Sequence, residues 1–114
     1  MNIESLREFC LSLPHATEDV KWGADICFSI GGKMFCVSGF SQPIHVSLKV
    51  SDEEFEEMSS RRGIIPAPYV ARYKWVLISE DAGLTVKQWN YYIAQSYELV
   101  KSKLPKKIQK ELKN

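Results

Sequence analysis

The side chains that could do chemistry in this 114-residue chain are three cysteines, two histidines and an uneven set of charges. His15 and His45 are isolated and lack the spacing of metal ligands. Cys27 and Cys36 offer two thiols without a clear third or fourth ligand, which disfavours a metal site. The sequence has no phosphate-binding glycine loop, no nucleophile elbow and no CxxC pair. We therefore expect no catalytic residue, no metal and no cofactor, and we predict that the protein is not an enzyme.

Charge is distributed unevenly along the chain. Residues 1–60 hold 4 Lys/Arg and 10 Asp/Glu, a net −6, whereas residues 61–114 hold 11 Lys/Arg and 4 Asp/Glu, a net +7. This asymmetry predicts either an acidic face opposite a basic face, or charges that intermingle once the chain folds. The overall charge of only +1 argues against a tight DNA binder.

One stretch, GIIPAPYVARYKWVLIS at 63–79, combines a stiff segment with a buried strand. Its two prolines fix φ and remove two N–H donors, so residues 63–68 are predicted to be irregular and extended. Residues 73–78 are a dense run of aromatic and β-branched side chains, which predicts a strand. We expect Trp75 to lie in the core, because it stands in the most apolar run of the chain.

Five cations near this stretch are candidate phosphate contacts. Four of them belong to the positively charged half of the chain and lie close to the proline-stiffened segment. The fifth lies on the solvated side of a predicted strand at 44–50, where apolar and polar residues alternate. Phosphate contacts give affinity without sequence readout. The candidate DNA-binding residues are Lys49, Arg61, Arg62, Arg72 and Lys74.

A hairpin is predicted at 24–40, because two strand-like runs flank Gly31-Gly32, a dipeptide that tolerates positive φ at both positions. The register set by this turn would pair Phe28 with Phe35, Ile26 with Val37, and Cys27 with Cys36. Such a cysteine pair could form a disulfide or stay as two reduced thiols. The reduced form is favoured, since the protein is expected in a reducing cytoplasm.

Helices are predicted at 3–13, from Ser51 to about 59, and at 85–103, the last two opening with capping boxes. A polar connector at 15–23 contains Trp22. Residues 106–114 form a basic C-terminal tail, and the whole chain, 1–114, is predicted to be a single domain. No apolar run is long enough for a transmembrane helix, and the N-terminus does not resemble a signal peptide, so we expect no membrane association and a cytoplasmic location.

Short motifs in a fixed order resemble the MmcQ/YjbR family of small bacterial proteins. The resemblance implies an α+β fold in the order α-β3-α-β2-α, with one antiparallel sheet packed against helices and similar to secretion chaperones. It also implies a double-wing surface that binds double-stranded DNA, and it supplies no catalytic residue. The motifs that carry it are Leu13-Pro14, Trp22-Gly23, Gly32-Lys33-Met34-Phe35, Ser47-Leu48-Lys49, Pro66-Ala67-Pro68-Tyr69, Lys74-Trp75-Val76, Ser96-Tyr97-Glu98-Leu99-Val100 and Leu104-Pro105.

Three functions are consistent with the sequence. The first is a non-enzymatic DNA-binding module of weak or unknown sequence specificity. The second is a protein-interaction or chaperone-like module, which could form a homodimer. The third, least favoured by the absence of motifs, is a small-molecule binder or an enzyme of unknown type. A clustered basic surface would support the first, a large apolar sheet face the second, and a deep pocket with convergent polar groups the third.

Overall fold

The computed structural model describes residues 1–21 and 23–112, so Trp22 and the last two residues of the predicted tail lie outside it. The described chain contains four α-helices and one six-stranded antiparallel sheet, which confirms the predicted α+β class. The helices are α1 (Ile3–Ser12), α2 (Asp52–Ser59), α3 (Val86–Ser102) and α4 (Lys106–Glu111). The strands are β1 (Thr17–Lys21), β2 (Asp25–Ile30), β3 (Lys33–Gly39), β4 (His45–Lys49), β5 (Ile64–Pro66) and β6 (Trp75–Ser79).

Side-chain caps fix where the helices begin. The Ser51 hydroxyl accepts from the Glu54 N–H at 3.3 Å at the start of α2. At the start of α3, Thr85 Oγ1 accepts from the Gln88 N–H at 3.1 Å, and Gln88 Oε1 accepts from the Thr85 N–H at 2.9 Å. These contacts satisfy N–H groups that have no partner within the helix, and they confirm both predicted helix starts.

The sheet has the strand order β1-β2-β3-β4-β6-β5, and its two faces differ. The inner face packs against the helices and supplies most of the core. In β4, for example, Val46 and Leu48 are buried whereas Ser47 and Lys49 are only partly so, as the predicted alternation requires. The alternate side chains of each strand point to the outer face. The core residues of β3, β4 and β6 are Phe35, Cys36, Val46, Leu48, Val76 and Ile78.

The hairpin forms, but its predicted register is wrong beyond the first two pairs. Gly31 and Gly32 both take positive φ, 58° and 84°, as the turn requires. A bulge beside Phe28 then shifts the pairing, so Cys27 lies opposite Val37 and Phe28 lies opposite Cys36. The other predicted pairs, Phe28 with Phe35 and Ile26 with Val37, are therefore absent.

The bulge places the two hairpin cysteines on opposite faces of the sheet. Cys36 faces the helices and joins the core, whereas Cys27 is buried on the outer face. The Cys10 thiol lies within hydrogen-bonding reach of Cys36, and this contact together with burial raises the pKa of Cys36 well above its ordinary value. All three thiols are free.

Two segments predicted to be irregular are edge strands. β1 lies within the predicted polar connector and pairs with β2, although Val20 is its single apolar residue. Exposed charges are typical of an edge strand, which explains why the apolar pattern is missing. β5 occupies the predicted irregular stretch 63–68 and pairs with β6. Pro66 is tolerated there because an edge strand does not need every N–H for pairing.

The predicted central strand begins two residues later than expected. Ala71–Tyr73 form a single 3₁₀ turn, and Lys74 adopts left-handed geometry with φ 66°, so β6 starts at Trp75. Within β6, Val76 and Ile78 face the core, and Trp75 and Leu77 face outwards. The expectation that Trp75 lies in the core is therefore wrong: its side chain is half-buried on the outer face.

Candidate nucleic-acid interface

The segment between β5 and β6 is a rigid loop built by its prolines and by two residues with left-handed geometry. After Pro68, Tyr69 takes φ 69° and Lys74 takes φ 66°. The Val70 N–H donates to the Ala67 carbonyl at 3.3 Å, and the Ala67 N–H donates to the Trp75 carbonyl at 3.0 Å, which anchors the loop to β6. Positive φ is uncommon for residues other than glycine, and in a bulky aromatic residue it often marks a functional site.

Lys49 and Arg72 both contact Tyr73 in this loop, Lys49 at the backbone carbonyl and Arg72 at the side chain. The Lys49 ammonium donates to the Tyr73 carbonyl. The Arg72 guanidinium lies over the Tyr73 ring, 4.8 Å from the ring centroid, and its Nη2 donates to the Tyr73 hydroxyl at 2.7 Å. Stacking on an aromatic ring orients a guanidinium without neutralising its charge.

Lys74 adds a third positive charge to this group. Its ammonium lies 5.0 Å from the centroid of the Phe55 ring on α2. The pKa of Lys49 is lowered, first by burial and then by the positive charges of Lys103 and Lys74, although Asp52 opposes this effect. The charges of Lys103 and Lys74 therefore act on the Lys49 ammonium. We call Lys49, Arg72 and Lys74 the cationic cluster.

Arg61 and Arg62 lie at the opposite end of β6 from the cationic cluster. The neighbouring Gly63 carbonyl accepts from the Ser79 N–H at 2.8 Å, at the last residue of the strand. Four residues of strand separate the two ends, about 13 Å at ~3.3 Å per residue. Arg61 also forms an ion pair with Glu57 at 2.8 Å, and this contact raises the pKa of Arg61. The five predicted cations thus form two groups rather than one.

Further lysines lie at the same end of the sheet as the cationic cluster. A Cβ at Gly31 would lie 2.6 Å from Leu104 Cδ1, so the chain entering α4 packs against the tip of the β2–β3 hairpin. This tip lies at the Lys49 end of β4, because Cys36 pairs with Leu48. Lys103, whose charge acts on Lys49, was not among the cations predicted from the sequence. The signal for it in the sequence is the positive net charge of residues 61–114. The lysines carried by α4 are Lys106, Lys107 and Lys110.

The part of the chain that the structure describes contains neither a group of metal ligands nor a membrane-spanning helix. Within residues 1–21 and 23–112, no three or more His, Cys, Asp or Glu side chains come together as metal ligands. His45 Nδ1 lies 3.0 Å from the Pro43 carbonyl oxygen, a partner within its own loop. Among the described helices, none is long and apolar enough to cross a membrane.

Comparison with solved structures places this fold among known ones. The crystal structure of Deinococcus radiodurans protein DR2400, a DUF419 domain, aligns with a TM-score of 0.89 and 26% identity over 98% of this chain and 88% of that one. A crystal structure of a protein from Pseudomonas syringae aligns with a TM-score of 0.72 and 18% identity over 87% of this chain and 98% of that one. The second likeness concerns the fold alone.

A family model matches the sequence, although no curated protein does. The YjbR family model matches residues 11–99, which include the described strands and most of α3. The resemblance inferred from short motifs is therefore confirmed, and the chain belongs to the YjbR family.

Proposed function

We propose that this protein is a non-enzymatic module that binds double-stranded DNA weakly, through phosphate contacts made by the cationic cluster. The observation that carries the proposal is that Arg72 and Lys74 belong to one loop and that the Lys49 ammonium donates to the carbonyl of Tyr73, the residue between them. Each cation contacts an aromatic ring or a backbone carbonyl, and neither kind of partner carries a negative charge. Burial and the positive charges of Lys103 and Lys74 lower the pKa of Lys49, and a bound polyanion would favour its charged form.

The chemistry of these contacts predicts affinity with little sequence preference. A lysine ammonium has three donors, and Lys49 uses one of them on the Tyr73 carbonyl, which leaves two for a phosphate. The guanidinium of Arg72 can bind a phosphate with two parallel hydrogen bonds. Three phosphate contacts suit binding in the range of about 10⁻⁴–10⁻⁶ M near physiological salt. In this proposal the protein acts in the cytoplasm without a cofactor.

The test is a titration of labelled duplexes of unrelated sequence at several salt concentrations. The double variant Arg72→Ala/Lys74→Ala is expected to flatten the salt dependence by about 1.8 units, roughly 0.9 per lost phosphate contact. Arg61→Ala/Arg62→Ala is the matched control, because it also removes two charges but from the other end of β6. A larger loss of slope in the control than in the Arg72/Lys74 variant would move the interface to Arg61 and Arg62.

A second candidate function is self-association through the outer face of the sheet. Leu77 is only partly buried there, and Ile65 on β5 is 51% exposed. Apolar surface of this kind is common at interfaces between subunits. Light scattering across a hundredfold range of protein concentration tests this candidate: a dimer would support it, and a monomer at every concentration would exclude it.

A further inference from the structure

The outer face of the sheet contains a groove whose lining residues do not include the cationic cluster. It has a volume of about 480 Å³ and lies between the strands and the rigid loop. Such a volume falls in the range of small-molecule sites, about 300–1,000 Å³. Its walls are mostly apolar, and two of its lining residues are aromatic. The lining residues are Asp25, Met34, Val37, Ser47, Pro68, Tyr69, Val70 and Trp75.

The strand register gives the groove a direction. Trp75 is paired with Lys49 at one end, so the apolar end of the groove adjoins the cationic cluster. Ser47 and Val37 are paired in the middle of the face. Asp25 is paired with Gly39 near the far end of the sheet. The groove therefore runs from positive charge, past aromatic and aliphatic side chains and the Ser47 hydroxyl, to the Asp25 carboxylate.

Tyr69 is the most unusual residue of the groove. Its side chain is fully exposed, although it lines the groove wall. It also has φ 69°, a conformation that costs a non-glycine residue roughly 1–2 kcal/mol. The turn closed by the hydrogen bond from the Val70 N–H to the Ala67 carbonyl explains this φ, because Tyr69 is the third residue of that turn. The exposure of the ring is not explained in this way, because an exposed ring buries little apolar surface. A bound molecule that stacks on this ring would account for its exposure.

The groove matches one class of ligand by its chemistry. A nucleobase has two flat faces that stack on aromatic rings, which Tyr69 and Trp75 supply. Its edge carries N–H donors, which the Asp25 carboxylate and the Ser47 hydroxyl can accept. Its phosphates are negative, so they are attracted to the cationic cluster and repelled from Asp25. This complementarity favours a nucleic acid over an apolar protein segment, which would leave Asp25 and the cations without partners.

We infer that the groove binds an unpaired base of single-stranded nucleic acid, with the phosphates on the cationic cluster. This inference rests on the proposed function, because it uses the same phosphate contacts. A base within a duplex is stacked and paired, so it cannot enter the groove without being extruded. Single strands are therefore the preferred substrate, and duplexes bind through their phosphates alone.

The experiment compares three labelled probes by fluorescence anisotropy at one low salt concentration. The probes are a 15-nucleotide single strand of mixed sequence, an abasic strand with the same number of phosphates, and a 15-base-pair duplex. The wild-type protein is expected to bind the normal strand about tenfold more tightly than the abasic strand, the contribution of roughly one stacked base. Tyr69→Ala should remove most of this difference and leave binding to the abasic strand unchanged.

Tyr91→Ala is the matched control, because Tyr91 is another exposed tyrosine, 56% accessible, on α3. It should retain the tenfold difference. Equal binding of normal and abasic strands, or tighter binding of the duplex, would overturn the inference and leave the proposed function intact. A tenfold difference that survives in Tyr69→Ala would also overturn it, since the base would then bind elsewhere. If the wild type binds none of the probes, both the inference and the proposed function fail. If Tyr69→Ala only dissociates a dimer, the groove is a protein interface.

Discussion

Replacing Ser96 with alanine tests how α3 holds the end of the sheet that carries the cationic cluster. Ser96 is fully buried, and its hydroxyl donates to the Phe35 carbonyl at 2.6 Å. The same oxygen accepts from the Lys49 N–H at 2.9 Å. Phe35 is the residue that the hairpin bulge leaves without a cross-strand partner, so the hydroxyl replaces a missing contact of the sheet.

The expected cost follows from these two contacts. Ser96→Ala leaves a buried carbonyl and a backbone N–H without their partner, and each unsatisfied group costs about 1–3 kcal/mol. The loss of one hydroxyl leaves little cavity, so we expect a total of about 2–6 kcal/mol for the two groups. For a domain of this size, such a loss lowers the melting temperature by about 10 °C or more.

The assay is urea unfolding followed by circular dichroism, with Ser102→Ala as control. Ser102 also donates its hydroxyl to a backbone carbonyl, that of Leu99 at 2.9 Å, but it is exposed on the last turn of α3. The control should change the free energy of unfolding by less than about 0.5 kcal/mol. A similarly small effect of Ser96→Ala would refute the view that this hydroxyl is the hydrogen-bond partner of the Phe35 carbonyl at the bulge and of the Lys49 N–H.

Three further predictions concern the outer face, the thiols and the ion pair of α1. Trp75→Ala should cost about 1–2 kcal/mol, less than the 3–5 expected for the buried Trp89→Ala, because Trp75 is only partly buried; equal urea midpoints for the two variants would contradict this. Thiol titration of protein purified anaerobically should find three free cysteines once the protein is unfolded, and a single free thiol would show a disulfide. The hydrogen bond from Arg7 lowers the pKa of Glu18, so Glu18→Gln should reduce stability at neutral pH. The difference should disappear as the pH falls through the lowered pKa, and a difference independent of pH in urea titrations would contradict the ion pair.

The sequence predicted the elements whose signals are local. The capping pairs Ser51 with Glu54 and Thr85 with Gln88 lie three residues apart, and the Gly31-Gly32 turn needs only its own φ angles. The alternation in β4 was also predicted, since one face of that strand is buried and the other is not. These features depend on contacts within a few residues of chain.

The features that were missed depend on distant contacts. The bulge is stabilised by Ser96, which lies 61 residues from Phe35, so the hairpin sequence alone does not reveal it. β1 and β5 are recognisable only once a neighbouring strand is present, because their own residues are charged or include proline. The pairing of β5 with β6 likewise places Arg62 far from Arg72 in space, although the two are close in sequence. The five predicted cations therefore form two groups.

The salt dependence of duplex binding tests the central claim most directly. If Lys49, Arg72 and Lys74 each contact one phosphate, a plot of the logarithm of the association constant against the logarithm of salt concentration has a slope of about −2.7, roughly 0.9 per contact. Two duplexes of unrelated sequence should give the same slope and similar affinities. A slope near zero, or no binding at about 50 mM salt, would contradict the proposal that this protein binds nucleic acid through its cationic cluster.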